Sequence, residues 1–225
     1  PKQTEIAKEP KNKKKVWVFI LAGQSNMAGR GLVEPEDTLS EKRLLTIDKG
    51  GQLILAKEPL HFYEPNLTGL DCGYSFGTTI LKNVPGDISV LLIPTAVGGS
   101  SINQWLGDSV HRDVKLFSNF VEKLEIGKRY GTIKGILWHQ GESDTFEDPR
   151  PYYISWFTGL FNAWRLDYGL LEKVYAFQIR QGCGGSFQGE MREIQRNFPR
   201  GFPNLEVMST AGLTGGDLYG LRSPN

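Results

Sequence analysis

The chain has 225 residues, of which 39% are hydrophobic and 23% are charged, a composition that supports one buried core and excludes a disordered acidic or basic polymer. The formal net charge of +1 gives no basic excess for nucleic-acid binding, and no apolar run approaches the ~20 residues of a membrane span. Two cysteines, Cys72 and Cys183, exclude a disulfide scaffold, and the sequence leaves open whether they pair.

The charge is distributed unevenly along the chain. Residues 1–15 hold six Lys and two Glu, a net charge of +4, so the remainder sums to −3. Because no aromatic residue is interleaved with these lysines, we expect a solvated, flexible leader over 1–15 rather than a nucleic-acid-binding arm. A single domain is expected over 16–225, and the chain begins without an apolar signal region.

Five short apolar runs follow the leader. They are continuous rather than alternating, as in strands that are covered on both faces of a parallel sheet. The runs are Val16–Leu21, Ile88–Pro94, Ile133–Trp138, Val174–Ile179 and Leu205–Met208.

Four segments between these runs mix apolar and charged positions at helical spacing. They are Tyr74–Val84, Val114–Tyr130, Tyr152–Tyr168 and Phe187–Phe198, whereas residues 31–72 are predicted to be a long irregular excursion. The alternation predicts a three-layer α/β/α sandwich with about five parallel strands. In such sheets ligands bind outside the carboxyl ends of the strands, so functional residues should follow the apolar runs.

The first polar cluster follows the first run and reads Gly23-Gln24-Ser25-Asn26-Met27. A serine at a sharp strand-to-helix turn presents its hydroxyl to a cleft, as in the nucleophile turns of serine hydrolases. Backbone N–H groups at such a turn can stabilise negative charge. Alternatively, Ser25 only caps a helix.

The second cluster follows the second run and contains Gly98, Gly99 and Trp105. Paired glycines allow close backbone approach to a ligand, and the Gly99 N–H is a candidate oxyanion donor. Trp105 is either a flat wall for a sugar ring or a core residue.

The third cluster, Trp138-His139-Gln140-Gly141-Glu142-Ser143-Asp144, follows the third run. So many polar groups are costly to bury without partners, so we expect them to line the cleft. If the chain stays extended, Gln140 and Glu142 share a face and His139 points the opposite way. Gln140 is then a neutral oxyanion donor. Glu142 is a candidate base or substrate-binding acid, or else forms structural hydrogen bonds to the glycine loops, and Asp144 is a candidate cap of the segment that follows it.

The motifs GQSNM, GGSSINQW and WHQGESD, in this order, resemble the sialate O-acetylesterase-like group of the SGNH hydrolases. That group includes the acetylxylan esterases of carbohydrate esterase family 6. The resemblance covers roughly residues 16–213 and implies a flavodoxin-like SGNH fold. It implies Ser25 as nucleophile and an oxyanion hole from the N–H groups of Ser25 and Gly99 with the Gln140 side chain. The implied activity is removal of acetyl groups from sugar hydroxyls, without a cofactor or metal.

The resemblance also implies a late Asp-x-x-His motif that supplies the general base. No histidine follows His139, and if Asp217 is the family's aspartate, Gly220 stands where the histidine is expected. We therefore expect a C-terminus that is incomplete or altered. His139 is a weaker candidate base, or else a structural histidine. His61 and His111 are expected at the surface, with the alternative that His111, which follows the Trp105 loop, swings toward the cleft.

Arg180, just after the fourth run, is a candidate for binding a sugar carboxylate or else forms a surface ion pair. The spacing of His and Cys indicates no metal site. The expected partner is an acetylated carbohydrate, which suggests a secreted or periplasmic location. The alternative is a carbohydrate-binding relative that has lost its base. The sequence does not indicate an oligomeric state.

Overall fold

A computed structural model describes residues 4–212, 214–216 and 220–222. The strands are β1 (Val16–Gly23), β2 (Leu44–Ile47), β3 (Leu53–Leu55), β4 (Ser89–Pro94), β5 (Val110–His111), β6 (Val114–Lys115), β7 (Thr132–His139), β8 (Lys173–Phe177), β9 (Leu205–Met208), β10 (Thr214–Gly216) and β11 (Gly220–Arg222). The helices are α1 (Ser25–Ala28), α2 (Gly73–Lys82), α3 (Ile102–Leu106), α4 (Leu116–Tyr130), α5 (Tyr153–Asn162), α6 (Gln188–Arg196) and α7 (Phe198–Gly201).

Seven strands form the central sheet in the order β3-β2-β4-β1-β7-β8-β9. All neighbours are parallel except β2 and β3. The five strands predicted from the apolar runs occupy positions 2-1-3-4-5, which is the flavodoxin-like order. The predicted α/β sandwich is confirmed. The topological switch point, where ligands bind in such folds, lies between β1 and β7.

Two apolar cores cover the two faces of the sheet. One packs Trp105, Phe120, Phe157 and Trp164, from α3, α4, α5 and the turn that follows, against alternate residues of the strands. The other, centred on Met27, lies on the opposite face beneath α1 and α2. Burial on both faces explains why the strands are continuous apolar runs.

The predicted irregular excursion over 31–72 is wrong in part, because it contributes β2 and β3 to the sheet. All four residues of β2 are buried. The leader also differs from expectation. Leu55 donates a backbone hydrogen bond to Glu5 (2.9 Å) and Ala7 donates one to Leu53 (3.1 Å), so this part of 1–15 lies along the edge strand.

Cys72 and Cys183 are both free thiols, which answers the question of their pairing. Among the described residues, no helix has the length and apolar character needed to cross a bilayer.

Candidate active site

The turn that carries Ser25 is built by a close backbone contact. Gly23 ends β1 with φ of +133°, and a Cβ there would lie 2.1 Å from the carbonyl oxygen of His139. Only glycine fits this position. The next residue, Gln24, donates its N–H to the same carbonyl (2.9 Å). The end of β1 is thereby held against the end of β7, and α1 starts at the half-buried Ser25.

The second loop meets the first at the carbonyl of Gly23. That oxygen accepts hydrogen bonds from Val97 N (3.1 Å) and from Ser100 Oγ (3.3 Å). Gly99 lies between these two residues, is exposed and has φ of +77°. The predicted oxyanion donor is therefore at the same sheet edge as Ser25.

The third loop is attached through the buried carboxamide of Gln24. Its Oε1 accepts hydrogen bonds from Gln140 Nε2 (3.2 Å), Gly141 N (3.3 Å) and Ser143 N (3.2 Å). No sequence pattern indicates that Gln24 joins the turns. All three predicted clusters therefore converge at the switch point of the sheet.

Gln140 is fully buried and held on both sides of its carboxamide. Besides Gln24, its Nε2 donates to Ser100 O (3.1 Å) and Asp144 Oδ2 (2.5 Å). Its Oε1 accepts from Tyr153 Oη (2.7 Å). Three acceptors therefore share two N–H hydrogens, and Gln140 must exchange one of these partners before it can donate to a ligand.

The expectation that His139 points away from Glu142 is wrong. The strand ends at His139, and Gly141 turns the chain with φ of +140°, so strand alternation does not continue. His139 Nε2 lies 3.4 Å from Glu142 Oε1, and that oxygen accepts from Asn26 Nδ2 (2.5 Å). Burial lowers the pKa of His139, against the opposing effect of Glu142. Glu142 is thus linked to the residue that follows Ser25.

Asp144 is nearly buried and ties the third loop to the second. Its Oδ2 accepts from Ile102 N (3.0 Å) at the start of α3 as well as from Gln140. Asp144 therefore caps α3, not the segment that follows it, which corrects the expected capping role. Burial is the main cause that raises the pKa of this carboxyl to about 6, with Glu142 adding to it.

A pH-dependent stability difference follows from Asp144. Its pKa is raised from 3.8 to about 6 in the folded protein, so its contribution is most favourable at low pH and is lost as the pH rises through 6. We expect the free energy of unfolding of the wild type, relative to Asp144→Asn, to fall by about 3 kcal/mol between about pH 3.5 and 7. Urea denaturation of both proteins across this range measures the difference.

Asp148→Asn is the control for this titration, because Asp148 is paired with Arg150 at the surface and its pKa is lowered. The stability of the wild type relative to this variant should not fall with rising pH. Parallel curves for the wild type and Asp144→Asn would contradict the raised pKa.

Trp105 does not line a cleft, so its predicted role as a wall for a sugar ring is wrong. Its side chain is fully buried, its Nε1 donates to Ser100 Oγ (2.9 Å) and its ring packs edge-on against Trp138. The large apolar ring on the inner face of α3 is stabilised by burial, and its N–H finds a partner there.

The other predicted residues are placed less centrally. Arg180 is half-buried near Cys183, whose Sγ lies 3.8 Å from Asn26 Nδ2. No ion pair of Arg180 occurs among the described residues. Burial raises the pKa of the Cys183 thiol. Asp217 lies outside the described residues.

Neither of the other two histidines is the free surface residue that the sequence predicted. His61 is buried with its Nδ1 3.0 Å from Asp71 Oδ2, and both side chains are inaccessible. His111 is half-buried and its Nε2 donates to Gly98 O (2.9 Å), next to Gly99. Within residues 4–212, no hydrogen bond joins Ser25 to a histidine.

A charged cluster of Glu64, Arg30 and Arg112 binds the backbone of the Gly98–Gly99 loop. Glu64 Oε2 accepts from Gly98 N (2.5 Å), and both of its oxygens bind Arg30 Nη2 at 2.9 Å. Arg112 also pairs with Glu64. Sequence analysis missed these residues because no pattern marks a single glutamate in a proline-rich segment as the partner of a distant loop.

Residues 15–220 match the family of sialic acid-specific acetylesterases, which are carbohydrate esterases. The chain belongs to this family. Its similarity to a curated relative, a probable carbohydrate esterase of Arabidopsis thaliana, is 29% identity over 198 residues, covering 79% of this chain and 74% of the relative.

Solved structures show the same fold. The crystal structure of the Arabidopsis thaliana protein superposes with a TM-score of 0.76 and 26% identity, covering 89% of this chain and 88% of that one. NanS gives 0.70 at 17% identity, covering 89% and 79%. A carbohydrate acetylesterase from Xanthomonas citri gives 0.60 at 18% identity, covering 87% and 49%. Family membership makes this protein a carbohydrate esterase by class, as the resemblance predicted.

Proposed function

We propose that this protein is a serine esterase that removes O-acetyl groups from carbohydrate through an acyl-enzyme at Ser25. The supporting observation is that the Ser25 turn and the Gly99 loop are fastened to one carbonyl, that of Gly23, at the switch point of the sheet. Within the part of the chain that the structure describes, the N–H groups of Ser25 and Gly99 donate no hydrogen bond. Both are therefore available to a developing oxyanion.

In the first step, Ser25 Oγ attacks the carbonyl carbon of the acetyl ester and gives up its proton. The bond between the acyl carbon and the sugar oxygen then breaks, that oxygen takes up a proton to become a hydroxyl, and the acetyl group remains on Ser25. Water attacks this second ester and releases acetate. The N–H groups of Ser25 and Gly99 would stabilise the oxyanion in both halves, joined by Gln140 if it exchanges one acceptor.

Attack by Ser25 requires a general base that accepts the proton of its hydroxyl. A serine hydroxyl is a poor nucleophile without a base, and general-base help is worth typically 10²–10⁴-fold. The family resemblance implies that the base comes from the segment around Asp217. Among the described residues, Glu142 is a carboxylate linked to the Ser25 turn, through Asn26.

A second candidate is a carbohydrate-binding protein with little hydrolytic activity. It is favoured by one observation, the absence of a Ser25–histidine hydrogen bond among residues 4–212. A carbohydrate-binding protein of this kind would keep the cleft and the proposed oxyanion donors. It would bind acetylated oligosaccharide without releasing acetate.

Acetate release separates the two candidates. The protein is incubated with acetylated xylan, O-acetylated sialic acid, p-nitrophenyl acetate and p-nitrophenyl butyrate, and acetate or p-nitrophenol is measured. We expect turnover of one acetylated sugar. Selectivity for acetyl predicts that p-nitrophenyl butyrate turns over at least 10-fold more slowly than p-nitrophenyl acetate, because the two esters share a leaving group and differ by two methylenes. Binding without turnover supports the second candidate. If the protein neither releases acetate nor binds the sugars in calorimetry at millimolar concentration, both candidate functions are contradicted.

A further inference from the structure

A cavity of about 280 Å³ lies beside the three converging loops. Three aromatic side chains form part of its wall: Phe146, which follows the third loop, and Tyr152 and Trp156 from the start of α5. The volume is at the lower end of small-molecule sites, the size of a single ring rather than a larger ligand. Trp105, the aromatic residue that the sequence suggested for this role, is elsewhere in the core.

Two of the three aromatic side chains in the wall are held by contacts within the protein, and the third is exposed. The rings of Tyr152 and Trp156 lie 4.5 Å apart, and Tyr152 Oη donates to Asp144 O (3.2 Å). Both are half-buried, whereas Phe146 is 72% exposed. A large exposed ring next to two fixed rings offers flat apolar surface to a ligand.

The remaining wall is polar and rich in hydrogen-bonding groups. Ser101 and Ser143 supply hydroxyls and Asn103 supplies an amide. These groups both donate and accept, as a ligand carrying several hydroxyls requires. Flat apolar faces beside such groups suit a pyranose, which has C–H faces and a hydroxyl-bearing edge.

The charge of the cavity selects among sugars. Its two carboxyl-bearing lining residues are Asp144 and Glu147, and no basic side chain lines it. A carboxylate-bearing sugar would meet like charge there without a compensating cation. The cavity therefore fits a neutral ring.

The cavity is lined by residues of two of the loops that meet at the candidate active site. Ser143, in its wall, donates its backbone N–H to Gln24 Oε1, and Gln24 directly precedes Ser25. Ser101, which also lines the cavity, lies two residues after Gly99. A ring bound in the cavity would lie next to a sugar whose acetyl group reaches Ser25.

We propose that this cavity is a subsite for a neutral pyranose adjacent to the acetylated sugar, so that the substrate is an oligosaccharide or polysaccharide rather than a free monosaccharide. The inference rests on the proposed function for its kinetic consequence. The binding of an unacetylated ring in the cavity does not depend on catalysis.

Binding is tested first, by calorimetry with xylotetraose on the full chain. We expect Phe146→Ala and Trp156→Ala each to weaken binding at least 10-fold, because each removes a ring face from the wall. Leu166→Ala is the control: Leu166 is 79% exposed and follows α5 at the opposite edge of the sheet. Tetragalacturonic acid should bind at least 10-fold more weakly than xylotetraose. Equal affinities for the wild type and both aromatic variants would overturn the subsite.

The kinetic test compares acetylated xylotetraose with p-nitrophenyl acetate. We expect the ratio of the two kcat/KM values to fall at least 10-fold in Phe146→Ala, mainly through a higher KM for the oligosaccharide. Trp156 packs against the core, so the folding of Trp156→Ala is checked by circular dichroism. If Trp156→Ala is unfolded, Phe146→Ala alone decides the result. A wild type that hydrolyses neither substrate contradicts the proposed function, whereas an unchanged ratio in an active Phe146→Ala contradicts the subsite.

Discussion

Ser25→Ala is expected to lower kcat for p-nitrophenyl acetate at least about 10³-fold, without a matching change in KM. Removing the nucleophile abolishes the acyl-enzyme route, and only catalysis by the oxyanion donors and by binding remains. The N–H groups of Ser25 and Gly99 belong to the backbone and persist in the variant. The same substitution should therefore leave calorimetric binding of acetylated oligosaccharide within a few-fold of the wild type.

The fold should tolerate this change. Ser25 is half-buried and makes no side-chain hydrogen bond among the described residues, so the free energy of unfolding should change by less than about 0.5 kcal/mol. Ser155→Ala, an exposed serine on α5, controls for loss of a hydroxyl elsewhere. A fluorophosphonate probe adds a direct readout, because it should label the wild type and Ser155→Ala but not Ser25→Ala. Equal hydrolysis rates for all three proteins would rule out Ser25 as the nucleophile.

The sequence revealed the elements whose burial is uniform. β1, β4 and the second half of β7 are covered on both faces, so their buried residues form nearly continuous apolar runs and the strands are visible one segment at a time. The three site turns are visible for a related reason, since each follows such a run directly. The glycine at position 23 is also visible in the sequence, and it marks the close contact with the carbonyl of His139 that positions Ser25, because no other residue fits there.

What the sequence could not reveal depends on contacts between distant segments. β2 and β3 are short, and β2 is defined by its pairing with β4 rather than by a local pattern. The third loop was predicted as an extended chain, but the turn at Gly141 brings His139 to Glu142. Whether Trp105 faces the core or a cleft depends on where α3 packs, which no local pattern shows.

Glu64 is the clearest case of a site residue set by distant contacts. Its side chain is 3% exposed and lies in the middle of the segment predicted to be irregular, yet it holds Arg30, Arg112 and the N–H of Gly98 at once. Arg30 is itself only 8% exposed. A buried carboxylate with this many donors is costly to remove, because its partners stay behind without it.

Glu64→Ala is therefore expected to lower the free energy of unfolding by about 3–5 kcal/mol, since it leaves the Arg30 guanidinium buried without its carboxylate and the Gly98 N–H without an acceptor. Urea denaturation measures this loss. Glu193→Ala, which breaks an exposed pair with Arg196, should cost less than about 1 kcal/mol. Glu64→Gln keeps an oxygen that accepts from Gly98 N, so its loss of free energy of unfolding should lie between those of Glu64→Ala and Glu193→Ala. At a urea concentration where Glu64→Ala remains folded, its kcat for p-nitrophenyl acetate should also fall, because the loop that carries the proposed oxyanion donor Gly99 loses the acceptor of the Gly98 N–H. A loss as small as that of Glu193→Ala would show that the cluster neither stabilises the fold nor orders the loop.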